Sequence, residues 1–517
     1  MNDSPPRSLR GLPIAEALAL LGRLIDDAAQ KDDREANELA LRLGQDLLDT
    51  SPASADAATL HYFLANARTD RERLLRTQAA QHWAWLDVDS ESALRHLRSA
   101  MREKSFGLLA RQRRAEILTN LGNLLNNVGR PIEAVARFDD ALAVVPEFGI
   151  AFANRAVAFR AYAQHYHDEG QSLVLARRAW QDMSSALRMP LEAGVAVNLR
   201  NQQQKLEQEM PSVRGPEPAF DDGSADWTPS EQRYRRWALR ERLFLNPMND
   251  VSSAAIAGRD TLNCPTLTTR SPTVPMPIEF VNEIKQQYCS ARFILYEGLR
   301  SRSPHYSDRE THIVENVESM TATLHELRVE RVKAAYRSAY SIFDKVAFLL
   351  NDYLVLDSKK YDVSFRKLWY VGGKAKNGLR PELRDKTNWG LRGLFWLSRD
   401  LHEDATGLPP ALDPEARKLA DLRHCFEHKH SKVVEVGLPE RASELGAHVI
   451  EFPSLVASTL TLFRLARAAV IYLVIGIGVE ERSNDRRKGG LTVVVNLPKR
   501  QDPPARKRAP RRPPEGR

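Results

Sequence analysis

Apolar residues recur at helical spacing along most of the chain. In the first third, Ala- and Leu-rich segments carry them at i, i+3, i+4 and i+7, the stripe of a helix that buries one face. Later, Val332, Ala335, Ala339, Phe343, Val346, Leu350 and Leu354 mark a long helix over about 321–356. Three more stretches follow: Trp389 to Leu401, a segment opening at Asp413-Pro414-Glu415 and running through LADLRHCFEHKH, and Ser454 to Glu481. Asp413 has the chemistry of an N-cap, with Pro at the first helical position. Four helices of this length close one bundle. Short β-like pieces (433–436, 448–452 and 491–497) flank them. The pattern predicts a predominantly all-α fold.

One unit in the first third is sharper than its neighbours. Leu118, Leu121, Gly122 and Leu125 are followed by Ala134, Phe138, Ala141 and Pro146. Gly122 and Ala134 permit close approach of two antiparallel helices, Phe138 fills the space between units, and Pro146 stops the second helix. Ala156 stands 34 residues after Gly122, with Phe152 and Phe159 at matching offsets. That period and pattern resemble the TPR repeat. Ala176, Trp180 and Met183 continue the series, Ala93, Leu97 and Ala100 anticipate it, and 35–48 reads as a degenerate helix. Residues 15–208 are therefore expected to form a TPR-like solenoid of four or five helical pairs, after a disordered 1–14. A repeat array of this kind docks a peptide or protein in its groove.

From Pro211 to Trp227 the composition turns to Pro, Gly, Ser and Asp, a linker signal. Arg233 to Asp250 (RYRRWALRERLFLNPMND) reads as a helix ending at the Asn-Pro, and Glu279 to Arg300 as another. Residues 209–310 are assigned to linker and connector helices, 311–485 to the bundle, and 486–517 to a short strand and basic Pro-rich tail.

The net charge of +8 points toward nucleic acid only weakly, because its location is uneven. Eight Lys/Arg stand against Asp502 and Glu515 between Pro498 and Arg517, leaving the rest close to neutral. The tail is expected to be solvated and disordered. Cys264, Cys289 and Cys425 lie far apart without a CxxC, which argues against a disulfide framework and a cysteine-rich zinc module, and fits a reducing cytoplasm. The first residues have no apolar secretory core. The apolar run Ala468 to Val479 has 12 residues between Arg467 and Glu480. A membrane span needs about 20, so a buried helix is expected and no membrane contact.

The chemistry concentrates in Arg423-His424-Cys425-Phe426-Glu427-His428-Lys429-His430, on the third bundle helix. Three of the thirteen histidines lie here within seven residues. A histidine that titrates near neutral pH can move a proton, and an arginine can hold a phosphate through two hydrogen bonds. The stretch resembles the HEPN superfamily motif: Arg, a polar residue, then His after a few more positions. Arg423 and His428 fit the four-residue gap, Arg423 and His430 the six-residue gap, and His424 the polar position. The resemblance covers about 311–485, and the TPR-like half with the connector LFLNPMND is similar to a bacterial branch of that layout.

The resemblance implies a metal-independent endoribonuclease that leaves a 2′,3′-cyclic phosphate, needs no cofactor, and works as a homodimer with two facing motifs. Toxin, stress-response or phage-defence roles are implied for the superfamily, some of whose members only bind. On a straight helix a spacing of seven returns to one face, while five lands about 140° away. Geometry thus favours His430 as the partner of Arg423, and the family usage favours His428.

Competing readings use the same residues. His424-x2-Glu427-His428 matches the H-x-x-E-H pattern of a zinc peptidase, with Glu427 as base. A non-catalytic interaction protein, with a solvated polar helix end suiting the dipole, is the other. Asp344, on the first bundle helix, is a candidate to orient the Arg or His. Lys374 and Lys376 form a Gly-rich basic turn without Walker spacing, and Cys425 reads as a small packed residue.

Overall fold

The computed structural model describes residues 8–50, 56–78, 84–215, 227–267, 276–301, 305–310, 323–356, 358–401, 414–435 and 448–485. Among these, seventeen α-helices and two short strands make a predominantly all-α fold. The expected N-cap Asp413, the strand at 491–497 and the basic tail lie outside the described residues.

The first nine helices are α1 (Ile14–Gln30), α2 (Arg34–Thr50), α3 (Ala57–Gln78), α4 (Val88–Arg102), α5 (Arg111–Asn127), α6 (Pro131–Val144), α7 (Gly149–His165), α8 (Glu169–Ala186) and α9 (Ala193–Glu209). They pack as sequential pairs, α1 on α2, α3 on α4, α5 on α6 and α7 on α8, in a helical solenoid. The pair spanning the sharp sequence unit behaves as its pattern predicts. A Cβ on Gly122 would lie 2.6 Å from the Phe138 ring, so only glycine admits that ring. Ala134, Phe138, Ala141 and Ala156 are fully buried.

The connector differs from the expected continuous helix. α10 (Pro229–Arg240) ends early, and Arg242 takes a left-handed φ of 57°. Leu243, Phe244 and Leu245 then run into the core as a plug, followed by the single turn α11 (Met248–Val251). Side chains satisfy the plug's backbone groups. Arg467 donates to the Phe244 carbonyl at 2.5 Å and to the Asn246 carbonyl at 2.8 Å, and pairs with Asp250 at 2.7 Å. Asn249 accepts from the Phe244 amide at 3.2 Å. A buried backbone without a ladder needs such partners.

The second half comprises α12 (Met276–Arg300), α13 (Leu327–Tyr353), α14 (Pro381–Arg384), α15 (Trp389–Leu401), α16 (Pro414–His428) and α17 (Phe452–Asp485). α12 packs along α13, so five long helices share the bundle where the sequence suggested four starting near 311. Between α16 and α17, β1 (Ser431–Val434) and β2 (His448–Glu451) pair in parallel, Ser431 opposite His448 and Val434 opposite Glu451. α17 is the one described helix long and apolar enough to cross a membrane, and 83% of its apolar window is buried inside the protein. Its close neighbour is α15, where a Cβ on Gly390 would overlap the Gly476 backbone.

The two halves share one core, an unbroken apolar cluster running from Ala58 through the connector to Ile477. Polar anchors cross the junction. Arg98 of α4 forms a two-pronged pair with Asp400 of α15, and Arg130 reaches the same carboxylate. Glu91 accepts Arg399 at 2.9 Å, the Trp85 indole donates to the Lys386 carbonyl at 3.1 Å, and Tyr472 bonds Glu133.

Candidate active site

α16 buries one side and offers the other to water. Leu419, Leu422, Cys425 and Phe426 face inward, and Asp421, His424, Glu427 and His428 outward. The inward side is fixed to α13. The Tyr336 hydroxyl donates to the Leu419 carbonyl at 2.5 Å, Arg337 donates to the Phe426 carbonyl at 3.4 Å, and the Phe426 ring meets Tyr336 edge-on at 5.5 Å. The last turn of α16 is thereby held in place although it lies at the surface. Cys425 is a packed residue, as expected.

On that turn Arg423, Glu427, His424 and His428 come together. Arg423 Nε lies 3.0 Å from Glu427 Oε2, and His428 Nε2 stands 3.6 Å from the same oxygen. The His424 and His428 rings, one turn apart, have centroids 5.2 Å apart. Glu427 therefore bridges the two residues whose angular separation on the helix looked awkward. His428 is 60% exposed, so its ring is open to a substrate. Arg423 lies over the Tyr340 ring at 5.4 Å.

Tyr340 was not among the residues singled out from sequence. Its place in an apolar helical stripe masks it as core, and it is indeed buried. Burial raises its phenol pKa, helped by Asp344 and opposed by Arg423. It stays protonated at neutral pH and forms an uncharged aromatic platform under the guanidinium.

Asp344 and His430 do not join the cluster as expected. Asp344 accepts the Phe365 backbone amide at 3.1 Å, which ties the segment after α13 rather than Arg423 or His428. His430 lies beyond the helix, which ends at His428. Its carbonyl accepts the His448 amide at 3.0 Å and starts the register of the small sheet. The seven-residue argument for His430 assumed a helix that continues, and here it does not. Lys374 and Lys376 sit on an exposed turn whose Gly372, Gly373 and Gly378 all have positive φ.

Among the described residues, no group of three or more His, Cys, Asp and Glu is arranged to hold a metal. The H-x-x-E-H reading therefore lacks a third ligand within them.

Comparison with protein families bears on the domain that carries this surface. Residues 268–480 match the family model described as LA2681-like HEPN. This segment is a HEPN domain. The match spans α12 to α17, beginning earlier than the sequence reading and including the Arg423–His428 cluster. No curated protein and no solved structure matches the chain. HEPN domains are typically RNases and are often RNA-binding and dimeric, so a HEPN-type nuclease or a related function is the coarse assignment.

Proposed function

We propose that the protein is a metal-independent endoribonuclease whose HEPN domain cleaves RNA with Arg423 and His428. The observation that supports this most directly is the exposed cluster in which Glu427 brings Arg423 and His428 together on a helix end anchored to α13. The substrate's 2′-oxygen attacks the neighbouring phosphorus and the P–O5′ bond breaks. His428 takes the 2′-hydroxyl proton or supplies one to the departing 5′-oxygen. Arg423 binds the phosphate and offsets its growing charge. The products are a 2′,3′-cyclic phosphate and a 5′-hydroxyl. His424 lies within reach of the same substrate, and Asp344 and His430 act at most through the scaffold.

A second copy of the chain would bring a second motif opposite the first, so that one protomer contributes the acid and its partner the base. The TPR-like repeats take a protein or peptide and control the nuclease, acting in the cytoplasm in a toxin or phage-defence role.

A second reading, a non-catalytic TPR–HEPN interaction protein, draws support from the same Glu427. It already satisfies Arg423, as a solvated helix end would. One experiment separates the readings. Purified protein is incubated with structured and single-stranded RNA, with and without EDTA, beside His428→Ala and Arg423→Ala. Cleavage that survives EDTA and is lost in both variants supports the nuclease. RNA left intact under all conditions, including after addition of the protein or peptide trigger that the repeats take, overturns it in favour of the scaffold, and EDTA-sensitive peptide hydrolysis would point to the zinc peptidase.

A further inference from the structure

The junction between the repeats and the HEPN domain is not completely filled. A cavity of about 360 Å³ lies between α4, α5 and α6 on one side and α16 and α17 on the other. Small-molecule sites have volumes of this order. Leu121, Leu125, Ile132 and Leu465 form an apolar wall. Seven arginines also line the cavity, against two carboxylates, Glu133 and Asp250.

Those arginines divide into two sets. Arg98, Arg130 and Arg467 are buried and committed to Asp400 and Asp250. Arg102, Arg137, Arg242 and Arg464 reach solvent at the rim. Three of the rim arginines have carboxylate neighbours: Asp140 for Arg137, Asp139 for Arg242 and Glu241 for Arg464. Arg102 donates to the Ser99 hydroxyl at 3.1 Å. A guanidinium carries five N–H donors, and one such pair uses one or two of them. The rim therefore keeps donors in the planar fork geometry that matches phosphate. A neighbouring hollow shares Arg242 and Asp250 and adds Arg178, Arg236 and Arg240.

We propose that this cavity binds a small organic phosphate, with its apolar or aromatic body against the leucine wall and its phosphate on Arg102, Arg137 and Arg464. The apolar wall has no use for a bare inorganic ion. A single-stranded RNA path would call for aromatic platforms, and none of the described residues lining the cavity is aromatic. Ala416 of α16 is part of the lining, so the ligand touches the helix whose far end carries Arg423 and His428.

The test is calorimetric titration of the full-length protein, with thermal midpoints measured in parallel. The probes are adenosine 5′-monophosphate, n-hexyl phosphate, inorganic phosphate, adenosine and a ten-nucleotide RNA. At least one organic phosphate binds at one site per chain and raises the midpoint, and which one binds identifies the nucleoside or the alkyl source. The Arg102→Ala/Arg464→Ala double variant loses about tenfold or more in affinity, as expected for removing charge-assisted bonds. Its unliganded midpoint stays near that of the parent, because both side chains are exposed. Arg423→Ala binds like the parent. The proposal is overturned if neither organic phosphate binds, if the double variant binds as tightly, if inorganic phosphate binds equally well, or if only the RNA binds. These readouts do not depend on RNA cleavage, so failure here and failure of the nuclease reading are separate results.

Discussion

Arg98 and Asp400, 302 residues apart, face each other fork to fork, with Arg98 Nη1 and Nη2 at 2.7 and 2.8 Å from the two carboxylate oxygens. Burial alone would push this carboxyl's pKa up, but Arg130 and Arg98 together hold it below the usual range. Removing one partner of a buried pair leaves the others uncompensated and costs about 3–5 kcal/mol. Asp400→Ala is expected to lower the thermal midpoint of the whole chain in a single transition. Two separated transitions, with the repeats unaffected, would refute a shared core.

Gly390→Ala tests the packing of α15 on α17. The added methyl would overlap the Gly476 backbone, which cannot rotate away as a side chain would. Overpacking of this kind costs about 1–3 kcal/mol and occasionally more. Urea denaturation would report it as a lower midpoint with an unchanged slope. Gly194→Ala, where nothing lies within 4 Å of the new carbon, is the neutral control.

The cluster on α16 makes graded predictions for cleavage. Losing the general acid–base His428 is expected to cost about 10²–10⁴-fold. Glu427→Gln keeps the shape but removes the charge that draws Arg423 and His428 together, so a smaller loss is expected. His430→Ala leaves the rate nearly unchanged, since its backbone rather than its ring is engaged. Single-turnover assays on the four proteins rank these effects. A His430 variant as dead as the His428 variant would reverse the assignment.

Acid should weaken the repeat half through a buried histidine pair. His61 and His96 contact each other through their Nδ1 atoms at 3.0 Å. Burial, then Arg102, lowers His61 to about 4, and burial, then His61, lowers His96 to about 3. The unfolded chain binds protons near pH 6.5 and the folded chain only well below, so the stability present above pH 6.5 is lost as pH falls toward 4 and 3. Thermal midpoints of the parent should decline across that window, and His96→Asn should decline less. Parallel curves would rule the pair out as a cause.

How much of this could be read from the chain depended on range. Gly122 and Phe138 announced their helix pair because repeats impose a period; α17 was read as buried from its 12-residue apolar run, but the whole helix is long and apolar enough to span a bilayer, and it is its packing that shows it buried. The Arg98–Asp400 pair was not legible, since charges on separate helices look like solvated faces until packing brings them together. The LFLNPMND segment passed for helix because its apolar residues follow an amphipathic helix directly, and only the Arg467 contacts explain why it departs. In the site, Arg423 and His428 stood out by residue type. Tyr340 hid in a core stripe, and the helix end that removes His430 depends on its pairing with His448, which is remote in sequence.

The amide of Ile132 donates to the Tyr472 hydroxyl across 340 residues. Contacts this distant close slowly, because the loop entropy is lost before the contact forms. Synthesis adds about 5–20 residues per second, so α6 waits roughly 15–70 s for the helix that covers it. Late in that interval Trp85 and Arg98 already have their partners at Lys386 and Asp400, while the α17 wall of the arginine-lined cavity does not yet exist. A chain interrupted before α17 thus carries the Arg423 turn without the helix its bundle closes on.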